Sequence, residues 1–240
     1  GSARSARSVT LSAQDASAFT ASLRGAFGAP LMNPAALREL AALPGTRGEL
    51  EQVRAALDAP QSALYLDARM TESAIRSADL SQTRILHLAT HGFTSEESGA
   101  AAEPGLVFTP PMEARVEDDG YLAASEVVAL NLSAARWVIL SACNTASPAT
   151  LPSGQSAQNG LSGLVRSFFY AGAQSLLVSH WPVFDDIAPR LTVSVLKRSQ
   201  SGVPRAEALQ AAIKELRDDP ELEAAHPAVW APFVLVGEGS

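Results

Sequence analysis

Two short stretches of the chain hold residue types suited to nucleophilic chemistry. Thr90-His91-Gly92 follows the apolar run Arg84 to Ala89, and Ser141-Ala142-Cys143-Asn144 closes the run that begins at Arg136. A thiol attacks a carbonyl only as thiolate, so a reactive cysteine needs a neighbour that takes its proton. Imidazole titrates near neutrality, and can accept that proton and later return it to a leaving amine. The oxyanion formed in such an attack needs N–H donors. The backbone amides of Gly92 and Cys143 are the natural pair, since a glycine lets other backbone approach closely. About fifty residues separate the histidine from the cysteine, a spacing known for such pairs. No third residue is identifiable from spacing, and a backbone carbonyl is enough to orient the imidazole.

These residues need strands to carry them. Arg84 to Ala89 and Arg136 to Ala142 read as buried strands, as do Ser62 to Leu66, Leu106 to Thr109, Gln174 to Ser179 and Phe233 to Val236. Helices are expected between them. Thr46 to Leu57 has Thr46 as N-cap and Glu49 at capping-box spacing, and Thr71 caps a helix reaching about Ala78. Further helices are expected over Ala123 to Leu130, Gly160 to Gly172, Asp185 to Arg198 and Arg205 to Arg217. Weaker patterns suggest helices near Ala13 to Phe27 and Asn33 to Ala42. Strands separated by helices imply an α/β fold with a mainly parallel sheet covered on both faces. In such sheets functional groups gather beyond the carboxyl ends of the strands, where His91 and Cys143 fall. The Ser-, Gly- and Pro-rich stretch Asn144 to Asn159 reads as a long loop, and the acidic stretch Glu113 to Asp119 as a solvated one.

The bulk properties exclude several classes. A net charge of −7 without a basic run beyond the first seven residues argues against direct binding of nucleic acid. No apolar run approaches a membrane span, and the N-terminus lacks the apolar core of a secretory leader. The single cysteine cannot form an internal disulfide, which suits a reducing, cytoplasmic location. His87 sits four residues before His91, but in an extended strand that is about 13 Å, too far for two ligands of one zinc. No metal and no cofactor is expected, and His87 reads as a hydrogen-bonded core residue. The opening Gly1-Ser2 reads as an expression scar on a fragment of a longer chain.

Five stretches in order carry a family resemblance. LSQTRILHLATHG (Leu80 to Gly92), LSACNTA (Leu140 to Ala146), GLVRSFFYAG (Gly163 to Gly172), SHWPVFDD (Ser179 to Asp186) and PAVWAPFVLVG (Pro227 to Gly237) together resemble the CHAT domain, a relative of caspases, separases and gingipains. LPGTRGELE, Leu43 to Glu51, is similar to that family's entry segment. The resemblance implies a caspase-like three-layer sandwich over residues 43–240, with 1–42 as a flanking segment. It also implies a regulated cysteine endopeptidase with His91 and Cys143 as catalytic dyad, acting on a protein substrate. Such domains often lie downstream of tetratricopeptide repeats or another sensor, so a missing N-terminal module or a separate activator is expected. The alternative is a catalytically silent CHAT module that serves as an interaction platform, against which the intact His91 and Cys143 speak.

The pocket residues follow the same resemblance. Trp181, Val183 and Asp185 match a separase pattern in which the aspartate binds an arginine side chain before the cut bond. Ser141, Trp181 and Asp185 are therefore the expected substrate-binding residues, and cleavage after Arg or Lys the expected preference. Ser-Ala-Cys-Asn departs from the animal caspase signature, so strict aspartate specificity is not implied.

Overall fold

The computed structural model describes residues 31–94, 98, 103–141, 149–150, 156–157, 160–179, 187–220, 222 and 226–240. In chain order the described elements are α1 (Pro34–Arg38), α2 (Pro44–Ala56), α3 (Glu72–Ser77), β1 (Ile85–Leu88), β2 (Gly92–Phe93), β3 (Gly105–Val107), β4 (Tyr121–Ala123) and α4 (Ala124–Val127). They continue with β5 (Trp137–Leu140), β6 (Ala149–Thr150), β7 (Ser156–Ala157), α5 (Gly160–Tyr170), β8 (Ser175–Ser179), α6 (Ile187–Gln200), α7 (Arg205–Arg217), α8 (Pro227–Trp230) and β9 (Phe233–Gly237).

The central sheet has the order β1-β5-β8-β9. β1, β5 and β8 run parallel, and β9 closes the sheet antiparallel to β8. Side chains alternate across it, as strand geometry requires. Val138 and Leu140 of β5 point into one core with Leu88, Leu176, Val178 and Phe168. Trp137 and Ile139 point into the other, with Leu177, Val53 of α2, Leu191 of α6 and Leu209 of α7. Both cores exclude water: Val138, Ile139, Leu140, Leu176 and Leu177 are each 0% exposed. Truncating one such residue to alanine costs about 2 to 5 kcal/mol through lost transfer energy and an unfilled cavity. The mostly parallel sheet between two helical layers is the caspase-like α/β architecture expected from the sequence. Among the described residues, no helix is long and apolar enough to cross a membrane.

A second, antiparallel sheet of β2, β3 and β4 sits beyond the end of β1. Strand β4 was not anticipated from sequence, because Tyr121-Leu122-Ala123 runs directly into α4 and resembles the start of one longer helix. Gly120, at φ +83, turns the chain into β4, and a Cβ there would stand 2.7 Å from the Cα of Pro110. Glu126 then accepts the Ala123 N–H at 3.0 Å, and α4 is shorter than predicted.

Other elements depart from expectation for identifiable reasons. The strand predicted over Ser62 to Leu66 is a 3₁₀ turn at Gln61–Ala63 followed by extended backbone. Asp58 and Asp67 flank it in the left-handed region, and Arg69 donates to the Leu64 carbonyl, so this backbone meets a side chain instead of a sheet. Helix α2 starts at Pro44 rather than at a Thr46 cap, the Thr46 hydroxyl donating back to the Leu43 carbonyl at 2.7 Å. The loop predicted over Asn144 to Asn159 contains the small β6–β7 hairpin. The acidic stretch is not wholly solvated. Asp119 is fully buried, accepting the Tyr121 amide at 3.0 Å and the Met32 amide at 2.9 Å.

Asp119 belongs to a buried acidic cluster that ties α3 to the second sheet. Arg76 donates to Glu72 at 2.8 Å and to Glu126 at 2.9 Å, while Glu72 accepts the amides of Asp119 and Gly120. Burial and the like charges of Glu126 and Asp119 outweigh Arg76 and push Glu72 up to about 8 from 4.5. The folded chain therefore holds a proton there that the unfolded chain releases. That stabilisation is complete below pH 4.5 and is lost as pH rises toward 8. Glu72→Gln keeps the shape and removes the titration. Urea unfolding between pH 5 and 8 should show the variant gaining on the native protein as pH rises, by an amount on the order of a few kcal/mol. Parallel stability curves would exclude a proton on Glu72.

Candidate active site

The register of β1 with β5 determines what the two strand ends bring together. Leu88 is the Cα partner of Leu140. His91 lies three residues beyond Leu88, and Cys143 three beyond Leu140. Two parallel neighbours in this register, about 4.8 Å apart, deliver their following turns to the same end of the sheet. The structure describes the chain to Ser141 on the second strand. Cys143, Trp181 and Asp185 lie outside the described residues.

His91 is held from three directions. Val107 donates its amide to the His91 carbonyl at 2.9 Å, and the Thr90 hydroxyl donates to the Val107 carbonyl. These bonds clamp the turn against β3. On the side-chain side, His91 Nε2 lies 2.8 Å from the carbonyl oxygen of Ala41, just before α2. A carbonyl only accepts, so Nε2 carries the ring proton and the neutral imidazole keeps its lone pair on Nδ1. That lone pair is what a general base needs. The Val107–His91 bond also makes Gly92 and Leu106 a non-hydrogen-bonded pair, and the Gly92 N–H points away from β3.

Ser141 stands directly after β5, with its amide bonded to the Leu88 carbonyl at 3.0 Å. Its hydroxyl donates to Glu49 Oε1 at 2.5 Å and lies 3.2 Å from His87 Nε2. The same His87 nitrogen is 3.0 Å from Glu49 Oε1, and the side chains of His87 and Glu49 are only 6% and 5% exposed. His87 Nδ1 is buried without a hydrogen-bond partner among the described residues. Nε2 faces the Glu49 carboxylate, which only accepts when ionised, so the ring proton belongs on Nε2. His87 is thus a hydrogen-bonded core residue, as its position in the strand suggests. Glu49, read from sequence as a capping-box residue, serves instead as acceptor for two donors brought by β1 and β5. Nothing in the one-dimensional pattern distinguishes these two uses, because the acid's partners are distant in sequence.

This Ser-His-Glu group is not itself a nucleophilic triad. In such a triad the serine and the acid bind opposite ring nitrogens, so that the proton can pass through the ring. Here both meet Nε2, and the serine proton already points at the carboxylate. Among the described residues no group of three His, Cys, Asp or Glu side chains could hold a metal ion.

An open cleft of about 900 Å³ follows the outer edge of β1 and reaches His91; Leu43, Leu50, Leu64, Met70 and Leu86 are among its walls. It leaves the imidazole partly accessible from the solvent side.

With this geometry established, comparison with known proteins decides the family. The CHAT domain profile matches residues 2–238, nearly the whole chain. The chain belongs to the CHAT domain family. This CHAT domain thereby falls within the caspase-like cysteine peptidase superfamily. It is 27% identical over 194 residues to tetratricopeptide repeat protein 28 of Mus musculus, a match covering 70% of this chain and 8% of that protein. The Homo sapiens protein of the same name is 26% identical over 194 residues, 7% of its length. The chain therefore spans less than a tenth of these relatives.

The tautomer of His91 follows directly from its contact with Ala41. Nitrogen NMR of the labelled histidine in its neutral form should show the proton on Nε2 and a bare Nδ1. A dominant Nδ1–H form would mean that the carbonyl does not orient the ring.

Proposed function

We propose that this CHAT domain is a cysteine endopeptidase in which His91 is the base and Cys143 the nucleophile. The observation that carries the reading is the fixed His91 imidazole at the end of β1, oriented by the Ala41 carbonyl, beside a parallel strand that leads to Cys143. Nδ1 of His91 takes the thiol proton, and the thiolate adds to the scissile carbonyl carbon. The oxyanion is held by the amides of Gly92 and Cys143. As the carbon–nitrogen bond breaks, the imidazolium gives its proton to the leaving amine. Water then adds to the thioester, its proton passing to His91, and the thiol is regenerated as the acid product departs.

Asp185 and Trp181 form the pocket for the residue before the cut bond in this reading. A carboxylate in a partly desolvated pocket pairs with guanidinium through two parallel hydrogen bonds, which favours Arg. An apolar residue there leaves the acid unpaired at a cost on the order of a few kcal/mol. The stretch Asn144 to Asn159 contains no Lys or Arg, so maturation by self-cleavage within it is not expected. The relatives are named for tetratricopeptide repeats. A module of that kind, or a separate activator, is the proposed source of regulation.

Cys143→Ala and His91→Ala should each abolish peptide cleavage, by about three orders of magnitude or more, with unchanged unfolding curves and no additivity in the double variant. Iodoacetamide labelling of Cys143 should fall in His91→Ala. A peptide library should show Arg or Lys before the cut bond, and Asp185→Asn should erase that preference. Near-native cleavage by Cys143→Ala would end the peptidase reading, and an unselective library profile would end the role given to Asp185.

A further inference from the structure

The segment from Ala41 to Glu49 touches both strand ends of the site. At its start the Ala41 carbonyl accepts from His91, and at its end the Glu49 carboxylate accepts from Ser141 and His87. Glu49 is 4% exposed, and the two donors come from neighbouring strands, His87 within β1 and Ser141 at the end of β5. An ionised carboxylate at such depth is tolerated only when donors are in place, so the site has one low-energy arrangement of the three groups. The hydroxyl is held two residues before Cys143, and the imidazole of His87 four before His91.

We propose that Glu49, His87 and Ser141 are positioning residues for the dyad. Their buried hydrogen bonds fix where the chain toward Cys143 leaves β5 relative to the His91 turn leaving β1. None of the three needs to touch substrate. The inference rests on the peptidase reading for its consequence in turnover, but its geometric content concerns the turn itself. The chemistry of the anchor is specific. Ser141 must supply a donor, which Thr can replace and Ala cannot. Glu49 must supply an acceptor with charge, since Gln in its place presents an amide that binds two converging donors less well.

The mechanism tolerates little misplacement, a shift of about 1 Å being worth up to about a hundredfold in rate. Ser141→Ala, Ser141→Thr and Glu49→Gln can be compared in three measurements: peptide cleavage, the pH profile of Cys143 alkylation by iodoacetamide, and amide hydrogen exchange in the peptide containing Leu140 to Asn144. Urea unfolding of each variant establishes that it is folded. For Ser141→Ala and Glu49→Gln, kcat should fall about tenfold or more with KM within about twofold. The alkylation profile should shift and exchange at the turn should quicken. Ser141→Thr should recover most of each.

Folded Ser141→Ala and Glu49→Gln with native alkylation profiles and native exchange would overturn the inference, whether or not the protein cuts peptides. Failure of Ser141→Thr to recover any measure would also overturn it, since the hydroxyl would then not be the operative group. The peptidase reading fails differently. There, the native protein cleaves no library peptide, while alkylation and exchange still respond to Ser141 and Glu49 as stated.

Discussion

The parallel register of β1 and β5 is the constraint on which the rest of this domain depends. A slip of one residue would turn Trp137 and Ile139 toward the core that holds Val138 and Leu140, and reverse every side chain on the strand. Both faces of β5 are filled by large apolar residues at negligible exposure, so neither slipped arrangement can be accommodated. The two-sided core thereby sets the relative height of the two strand ends. The same packing that stabilises the fold thus sets the offset of Leu88 and Leu140, the registered residues three before His91 and Cys143 in sequence.

Two buried glutamates show how this chain handles charge away from water. Glu72 is buried beside Glu126 and Asp119, and burial with these like charges outweighs the Arg76 guanidinium, so a proton is retained. Its role is to tie α3 to the β2–β3–β4 sheet. Glu49 accepts from a hydroxyl and an imidazole, with no second acid among its hydrogen-bonded partners. A lone carboxylate satisfied by a hydroxyl and an imidazole contributes less to stability than an apolar replacement could, but it is far more directional. Direction is what a site at two strand ends requires, whereas a joint between layers requires only attachment.

The parts of the fold that rest on local chemistry were legible in the sequence. β1, β5, β8 and β9 appeared as apolar runs of the right length, α5 and α7 through their periodicity, and His91 with Gly92 through residue type and position at a strand end. Elements decided by particular side-chain partners, near or distant, were not legible. Ser62 to Leu66 has strand composition, yet Arg69 takes the Leu64 carbonyl and no strand forms. Asp119 looked like a surface acid because its distant partner, the Met32 amide, is brought to it by tertiary packing. Glu49 was misassigned for a related reason. Its spacing from Thr46 fits a local cap, and only the strands arriving from later in the chain reveal its partners.

The orienting group of His91 illustrates a limit of a different kind. Ala41 acts through its carbonyl oxygen, which every residue possesses, so no side-chain motif can announce it. What the sequence does encode is the start of α2. Pro44 at the first helical position favours a helix beginning there, and five residues of helix carry the chain about 7.5 Å from Pro44 to Glu49. That distance exceeds the spacing of two adjacent strands, about 4.8 Å. The Ala41 carbonyl, just before the helix, meets the turn after β1, while Glu49 within it meets both His87 of β1 and Ser141 after β5. Val53 of the same helix packs into the core with Ile139 and Leu177, which anchors α2 to the sheet beyond Glu49. Displacing α2 would disturb the carbonyl on His91 and the carboxylate on Ser141 together. The segment Ala41 to Glu49 thus ties the His91 turn and the end of β5 to one support.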